Sequence, residues 1–142
     1  MESHSQIIYH LVSMWTVSER SEETLEVMKS KFVAIVLPFE NADTFKDLWS
    51  AIRKKHAKAK HLVYAYRVDN KSKSCDDHEP KGTAGRPLLE LLYKREMNNV
   101  VIFIARYYGG VKLGASRLLR TYLQAGINAL NSASIIKLEE KI

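Results

Sequence analysis

The residues of this chain with the most chemical potential lie in the stretch 76–125, where two glycine-bearing turns each precede a helix-like segment. The first turn spans Asp76 to Pro87, and the second spans Arg106 to Gly114. Glycine lets a backbone turn tightly or approach another group closely. A helix N-terminus presents unpaired N–H groups and a partial positive charge, so such a turn can bind an anion. Together the two turns indicate a surface built around a phosphate or a carboxylate.

Carboxylates and an imidazole are concentrated at the first turn. The acids Asp76, Asp77 and Glu79, with His78 beside them and His61 from an earlier segment, carry the oxygen and nitrogen ligands that can bind a divalent metal ion. Consecutive residues rarely all face one ion. The alternative is that one carboxylate fixes the loop through backbone N–H groups while another pairs with Arg106. We adopt this alternative and predict no metal site, no cofactor and no catalytic residue.

The segment Gly82-Thr83-Ala84-Gly85 is typical of a backbone nest at the start of a helix, which can bind an anion. Thr83 could equally cap the helix locally. The first turn is therefore predicted to organise the loop or to hold a ligand. The residues with this predicted role are His61, Asp76, Asp77, Glu79, Gly82, Thr83 and Gly85.

Cations and aromatic rings surround the second turn. Gly109 and Gly114 have the glycine spacing of a nucleotide-binding P-loop, but Ala115 stands where that loop needs its lysine. Guanidinium groups grip phosphates and aromatic rings stack on bases, which favours nucleic-acid contact. The alternative is that one tyrosine enters the core and that the arginines pair with the carboxylates. The predicted phosphate- or nucleic-acid-binding residues are Arg106, Tyr107, Tyr108, Gly109, Gly110, Lys112, Gly114, Arg117 and Arg120.

These two stretches resemble the motifs of the YigZ/Impact family. Bacterial members show DDGEP-x-GTAG-x-P followed by RYFGG-x-x-LG-x-GGL-x-RAY, and this chain has DDHEPKGTAGRP at 76–87 and RYYGGVKLG at 106–114. The resemblance covers about residues 24–130, including KSKF at 29–32 for the family's KSRF. The chain departs from the pattern at His78, which replaces a glycine, at Ser116-Arg117, which replaces a glycine pair, and at Thr121, which replaces an alanine.

The resemblance implies a fold and a role. The fold is the β/α fold of domain IV of the translocation elongation factor, of a small-subunit ribosomal protein domain and of GHMP-type small-molecule kinases. Eukaryotic Impact proteins restrain the general-control kinase pathway by engaging its activator. Bacterial relatives often carry a second, ferredoxin-like domain after the one seen here, and we expect functions that need it to be absent or supplied elsewhere.

The composition limits the class of protein. A chain of 142 residues, 46% hydrophobic and 27% charged, predicts one globular domain over 1–142. The single cysteine and the lack of a signal segment or long apolar run predict a cytoplasmic protein that does not enter a membrane.

The charge is distributed unevenly along the chain. Residues 1–50 hold four basic against eight acidic residues, whereas residues 51–142 hold eighteen against eight. This basic part favours an acidic partner such as nucleic acid, although a solvated basic surface is the alternative.

Hydrophobic periodicity predicts the elements that must position the two turns. Residues 1–23 are read as an N-terminal strand, at 7–17, and a charged turn. Further strands are predicted at 24–28, 32–37, 61–68 and 100–106, with a short one at 135–138. Helices are predicted from a cap at Asn41 or Asp43 to Ala57, from Pro87 to about Asn98, and over 114–131, and residues 69–86 are predicted to be a long polar loop. The fold class is an α+β two-layer sandwich with a mixed or antiparallel sheet of about four strands and helices on one face.

The favoured function is a non-enzymatic, translation-associated regulatory module that binds RNA, the ribosome or a translation-linked protein through the basic glycine, tyrosine and arginine surface. One alternative is an enzyme that acts on a phosphorylated small molecule, with the carboxylates as base or metal ligands. Another is a pure protein-interaction module, with Tyr9, Met14 and Trp15 on one exposed patch.

The basic run Arg53 to Lys60 either neutralises a helix C-terminus or adds a phosphate-binding patch. The sequence does not predict an oligomeric state.

Overall fold

A computed structural model describes residues 14–69 and 71–138. Its elements follow one another as seven strands, three helices and one 3₁₀ turn. In chain order they are β1 (Trp15–Val17), β2 (Ser21–Val27), β3 (Ser30–Pro38), the 3₁₀ turn (Ala42–Thr44), α1 (Phe45–Lys55), β4 (His61–Val68), β5 (Lys71–Cys75), α2 (Gly85–Lys94), β6 (Val100–Tyr107), α3 (Ala115–Ser132) and β7 (Ile135–Lys137).

Five strands form the main sheet in the order β2-β3-β6-β4-β5, and every neighbouring pair is antiparallel. The central strand β6 is buried over seven of its eight residues, as its continuous apolar run predicts. The register aligns Phe32 of β3, Arg106 of β6 and His61 of β4 in one row across the sheet. This row lies at the sheet end from which the second glycine turn leaves.

The α+β fold class is confirmed, but the prediction missed one strand of the sheet. Residues Lys71–Cys75 lie in the predicted polar loop and instead form the edge strand β5, which pairs with β4. An edge strand with both faces in solvent carries no apolar alternation, and the first four residues of β5 are exposed. The loop that remains is 76–84, which carries the first turn.

The two faces of the sheet have separate apolar clusters. Side chains alternate along β3 between them, with Phe32, Ala34 and Val36 on the face covered by α2 and α3, and Val33 and Ile35 on the other face. The expectation that all helices lie on one face was wrong for α1, since Ile52, with the half-buried Phe45 and Leu48, belongs to the second cluster.

Helix boundaries agree with the predicted ones to within a few residues. The Asn41 side chain accepts a hydrogen bond from the Asp43 N–H at 3.0 Å, but it caps the 3₁₀ turn that precedes α1. At the other end of α1, the Arg53 guanidinium donates to the carbonyls of His56, Ala57 and Ala59, at 2.7, 3.3 and 2.7 Å. Arg53 therefore caps the C-terminal end of α1. This role is the first of the two predicted for the basic run Arg53 to Lys60.

A two-stranded ribbon joins the two ends of the described chain. β1 pairs antiparallel with β7, and Trp15 also bridges to Met97. Of the predicted strand at 7–17, residues 14–17 lie in the described residues, and Trp15–Val17 of these form β1. Residues 7–13, including Tyr9 of the predicted exposed patch, lie outside the described residues. Within residues 14–69 and 71–138, every helix is too short or too polar to serve as a membrane span.

Candidate functional site

The first glycine turn is organised around the carboxylate of Asp76. Its Oδ2 accepts the Gly82 N–H at 2.8 Å, and its Oδ1 accepts the N–H groups of Ala84 and Gly85 at 3.2 and 2.9 Å. The Thr83 hydroxyl donates to the Pro80 carbonyl at 2.5 Å and does not cap the helix. The predicted backbone nest thus exists at the start of α2, and the anion that fills it is Asp76.

Asp77 and His61 attach this turn to the end of β4. The Leu62 N–H donates to Asp77 Oδ2 at 2.6 Å, and His61 Nδ1 lies 2.7 Å from the Asp77 carbonyl oxygen. A carbonyl can only accept, so Nδ1 of His61 carries a proton. Asp77 and His78 have φ values of 44° and 69°, in the left-handed region that favours glycine. The family motif therefore has glycine at position 78 because the backbone there is left-handed. His78 adopts the same backbone conformation under strain.

Glu79 and Arg106 form a buried ion pair that joins the two turns. Nη1 of Arg106 donates to both Glu79 oxygens, at 3.0 and 2.8 Å, and the Tyr122 hydroxyl donates to Glu79 Oε2 at 2.5 Å. His61 Nε2 lies 3.4 Å from Glu79 Oε1. Burial, reinforced by the Glu79 carboxylate, raises the pKa of the Tyr122 hydroxyl far above its ordinary value. Each carboxylate of the DDHE segment therefore has a structural hydrogen-bond partner.

This pairing corrects the expectation that Arg106 grips phosphates at the surface. Arg106 is only 5% exposed, since it follows Ile102 and Ile104 on the face of β6 that α2 and α3 cover. Its Nη2 donates to the Ser30 hydroxyl at 3.3 Å, and Ser30 also accepts the Gly109 N–H at 3.3 Å. Arg106 therefore stabilises the second turn from the buried side of the sheet, through the Ser30 hydroxyl that both groups contact.

The two tyrosines after Arg106 point in different directions. Tyr107 lies on the opposite face of the sheet, where its hydroxyl shares a hydrogen bond of 2.6 Å with His56 Nδ1. Tyr108 is 39% exposed, with the Lys60 ammonium 4.5 Å from its ring centre and the Arg106 guanidinium 5.4 Å away. Only Tyr108 is thus placed to stack on a base.

Two glycines of the second turn have clear backbone roles. A Cβ on Gly109 would lie 2.0 Å from the Lys29 carbonyl oxygen, so only glycine lets the turn pack against the β2–β3 connection. Gly114 has φ 80° and ψ 155° immediately before α3. It offers no side chain as a cap, and the first turn of α3 contains no acidic residue, so the helix N-terminus remains available to an external anion.

A cleft of about 500 Å³ lies between the two turns. Its floor contains the Glu79–Arg106 pair, and the exposed Lys60, Tyr108 and Lys112 lie around it together with the start of α3. The floor pair is balanced in charge, so the cations at the rim and the helix dipole give the cleft its positive character. This arrangement can bind a phosphate or a carboxylate.

The structure does not bring all the predicted residues into this cleft. The exposed Arg117 contacts the Met28 sulfur at the β2–β3 connection, and Arg120 donates to the Ser116 hydroxyl at 2.7 Å on the solvent side of α3. Neither lines the cleft, whereas Gly110 lies in the turn beside it. Arg117 and Arg120 therefore extend the basic surface along α3.

Sequence reasoning missed three residues of the site. Lys60 was predicted only as part of the basic run that either neutralises a helix C-terminus or adds a phosphate-binding patch. Ser30 lay in the KSKF segment without a role, and Tyr122 lay in the predicted helix 114–131 without a role in the site. Only Lys60 had a usable signal, because it directly precedes His61 at the start of β4. Nothing in the spacing connects Ser30 or Tyr122 with Arg106, which lies 76 residues from Ser30.

In the part of the chain that the structure describes, no three His, Cys, Asp or Glu side chains are grouped to hold a metal ion.

The sequence of this chain is similar to a known protein family and to several of its members. Residues 28–130 match the Impact N-terminal domain. The IMPACT family member YvyE of Bacillus subtilis is 35% identical over 130 residues, covering 89% of this chain and 60% of YvyE. YigZ of Escherichia coli is 31% identical, covering 72% of this chain and 52% of YigZ.

A solved crystal structure of a hypothetical protein superimposes with a TM-score of 0.83 at 25% identity, covering 87% of this chain and 63% of that one. This similarity supports the α+β fold described above. The chain spans about 60% of the length of YvyE and about half that of YigZ. With both turns inside the matched residues, this chain belongs to the Impact family.

Proposed function

We propose that this domain is a non-enzymatic, translation-associated regulatory module that binds RNA, alone or on the ribosome, at the cleft beside the second glycine turn. The observation that carries the proposal is the exposed Tyr108 ring, which lines the same cleft as Lys60 and the uncapped N-terminus of α3. A cation and a helix N-terminus suit phosphates, and an exposed ring suits a base.

Each residue has a distinct role in this proposal. Lys60 and Lys112 bind phosphates, and Tyr108 stacks on an unpaired base. Arg117 and Arg120 extend the phosphate path along α3, while Arg106 and Glu79 position the turn. The link to translation comes from family membership and from the role that the family resemblance implies for eukaryotic Impact proteins, and it requires a cytoplasmic protein.

The hydrogen bonds of the carboxylates favour this proposal over an enzyme acting on a phosphorylated small molecule. Asp76 accepts three backbone N–H groups, Asp77 accepts one, and Glu79 is paired with Arg106. A carboxylate held in this way is a weak candidate for a general base, since its oxygens are already engaged by these partners and are not free to reach a substrate proton. The three acids are better explained as the supports of the two turns.

The test is binding of fluorescein-labelled single-stranded and duplex RNA by fluorescence anisotropy across a salt series. For single-stranded RNA, the Lys60→Ala/Lys112→Ala variant should bind more weakly at low salt. Its slope of log affinity against log salt should be shallower by about 1.4, because two phosphate contacts are lost.

The matched control is Lys46→Ala/Lys71→Ala, which removes the same charge from α1 and from the far end of the sheet. This control should keep the wild-type slope. Equal slopes for the two double variants, or no RNA binding at low salt, would overturn the assignment of RNA to this cleft.

A further inference from the structure

A second concave surface lies on the outer side of the α2–α3 pair, away from the cleft. It is a groove of about 480 Å³, and here it is called the α2–α3 groove. The residues that line it are Gly82, Arg86, Pro87, Glu90, Leu91, Lys94, Leu119, Leu123 and Ile127. None of the predicted RNA-binding residues lines it, so the proposed function leaves this surface unexplained.

The apolar wall of the groove is a regular stripe on α3. Leu119, Leu123 and Ile127 are four residues apart, so they lie above one another on one helix face. Leu119 is 37% exposed, and the other two are half-buried against the core. The stripe is about 12 Å long at 1.5 Å per residue, which corresponds to about two turns of a facing helix.

Close packing of the two helices gives the groove a solid floor. A Cβ on Gly126 would lie 2.7 Å from Leu88 and 3.3 Å from Leu91, so α2 and α3 contact each other at this glycine. Pro87 and Leu91 are themselves buried. A rigid apolar groove between two helices is the surface that an amphipathic helix uses when it binds through residues at i, i+3, i+4 and i+7.

The charge around the groove indicates what would flank such a helix. Glu90 is the one acidic residue among the nine that line the groove, and it is already paired with Arg86 at 3.1 Å. Lys94 is exposed at the C-terminal end of α2. Two further cations directly adjoin lining residues in the chain, namely Lys81 and Arg95. The rim is therefore predominantly basic and complements acidic side chains.

We propose that the α2–α3 groove binds an amphipathic helix of a partner protein, with aliphatic residues against Leu119, Leu123 and Ile127 and with acidic residues facing the basic rim. The aliphatic wall favours a protein over RNA, because it offers no ring on which a base could stack. This surface is independent of the proposed RNA-binding function, although both use α3.

A selection from a random library of displayed 16-residue peptides tests the proposal without a known partner. The full chain is immobilised, and peptides that also bind the Leu119→Ser/Leu123→Ser variant are removed. The peptides that remain should have aliphatic residues at helical spacing, flanked by Asp and Glu. No enrichment, or enriched sequences without this pattern, would overturn the proposal.

Variant chains then locate the bound peptide. For the best peptide, Leu119→Ser/Leu123→Ser should raise the Kd at least about tenfold, and Lys94→Glu should raise it about three- to tenfold. The matched control Ile136→Ser, an exposed apolar residue on β7, should leave the Kd unchanged. Equal binding by the groove variants and by this control would overturn the assignment to the groove.

Two controls distinguish the remaining explanations. Thermal melting of Leu119→Ser/Leu123→Ser should keep one cooperative transition, at a somewhat lower temperature because Leu123 is half-buried against the core. RNA binding of this variant should match the wild type, which shows that the domain remains folded and that the cleft is intact. Sedimentation of the wild type across a concentration range tests for a second copy as the occupant. Dimerisation that this variant abolishes would show that the groove binds another copy, and it would overturn the proposal.

Discussion

At the scale of single residues, position in a strand decided which charged groups face solvent. Arg106 and Tyr107 are neighbours in the chain, yet strand alternation sends the first beneath α2 and α3 and the second to the opposite face. The charge of Arg106 is then tolerated because Glu79 lies within 2.8 Å of it. Arg106, which the sequence analysis placed among the phosphate-binding residues, is thus part of the core, whereas Lys60 is exposed at the cleft.

His78 carries strain that the chain could lose by one substitution. Its φ of 69° costs a residue with a Cβ about 1 kcal/mol, and its side chain is 92% exposed. His78→Gly should therefore raise the free energy of unfolding by about 0.5–1 kcal/mol in urea titration. The matched control is Lys81→Gly in the same loop, which has no positive φ to relieve and should lose stability. If the two variants lose stability equally, the strain at His78 is negligible.

At the scale of elements, the sequence was most informative where an element buries an apolar face. The runs of β3, β4 and β6 and the apolar stripes of α1, α2 and α3 are visible in the residue spacing, and these elements were predicted to within a few residues. β5 was missed because its first four side chains are exposed, so the strand carries no apolar alternation, and its pairing with β4 is made by backbone hydrogen bonds. The face that α1 covers was also not predictable, because the phase of a stripe does not say which side of a sheet it meets.

The same limit applies to the candidate site. Glycine spacing predicted both turns, and the acidic cluster predicted that carboxylates organise the first one. The partner of each carboxylate depends on which strands are adjacent, and the contacts of Arg106 with Glu79 and Ser30 span 27 and 76 residues. Local spacing contains no information about contacts at such separations.

The start of α2 depends on one side chain. Asp76 accepts three N–H groups at this helix end, so Asp76→Ala should lower the free energy of unfolding by about 2–3 kcal/mol in urea titration. Asp47→Ala, which removes an exposed acid from the first turn of α1, serves as the matched control and should cost less than about 1 kcal/mol. Added acetate should stabilise Asp76→Ala more than the wild type, because the emptied nest can accept an external carboxylate. Equal losses in the two variants would contradict this role for Asp76.

At the scale of the whole molecule, stability should depend on pH through a histidine beneath the sheet. His56 is buried at the end of α1, and its Nε2 has no hydrogen-bond partner. Burial lowers the pKa of His56 below its ordinary value of 6.5, against the opposing effect of Glu22. The pKa of His56 is lowered further by the positive charges of Lys55, Arg20 and Arg53.

The sign of the effect follows from this shift. As the pH falls below about 6.5, the unfolded chain takes up a proton at His56 more readily than the folded chain does, so stability is lost. The loss is at most about 1.4 kcal/mol per pH unit, and it ends once the pH is below the folded-state pKa. His56→Asn keeps a polar partner for Tyr107 but cannot be protonated in this range. The difference in unfolding free energy between wild type and variant should therefore shrink from pH 8 to pH 5.5, and a constant difference would contradict the assignment.

The order of the strands also governs how the chain can acquire its structure. β6 lies at the centre of the sheet, yet it follows β2, β3, β4 and β5 in the chain. Until residues 100–107 have been synthesised, β3 and β4 have no common neighbour, and the two hairpins β2–β3 and β4–β5 remain separate. Insertion of β6 is therefore the step that converts two local hairpins into one sheet, and it closes contacts that are distant in the chain. Domains dominated by such distant contacts fold more slowly than helical bundles. We therefore expect a nascent chain of this protein to expose its apolar strands until β6 is available to pair with them.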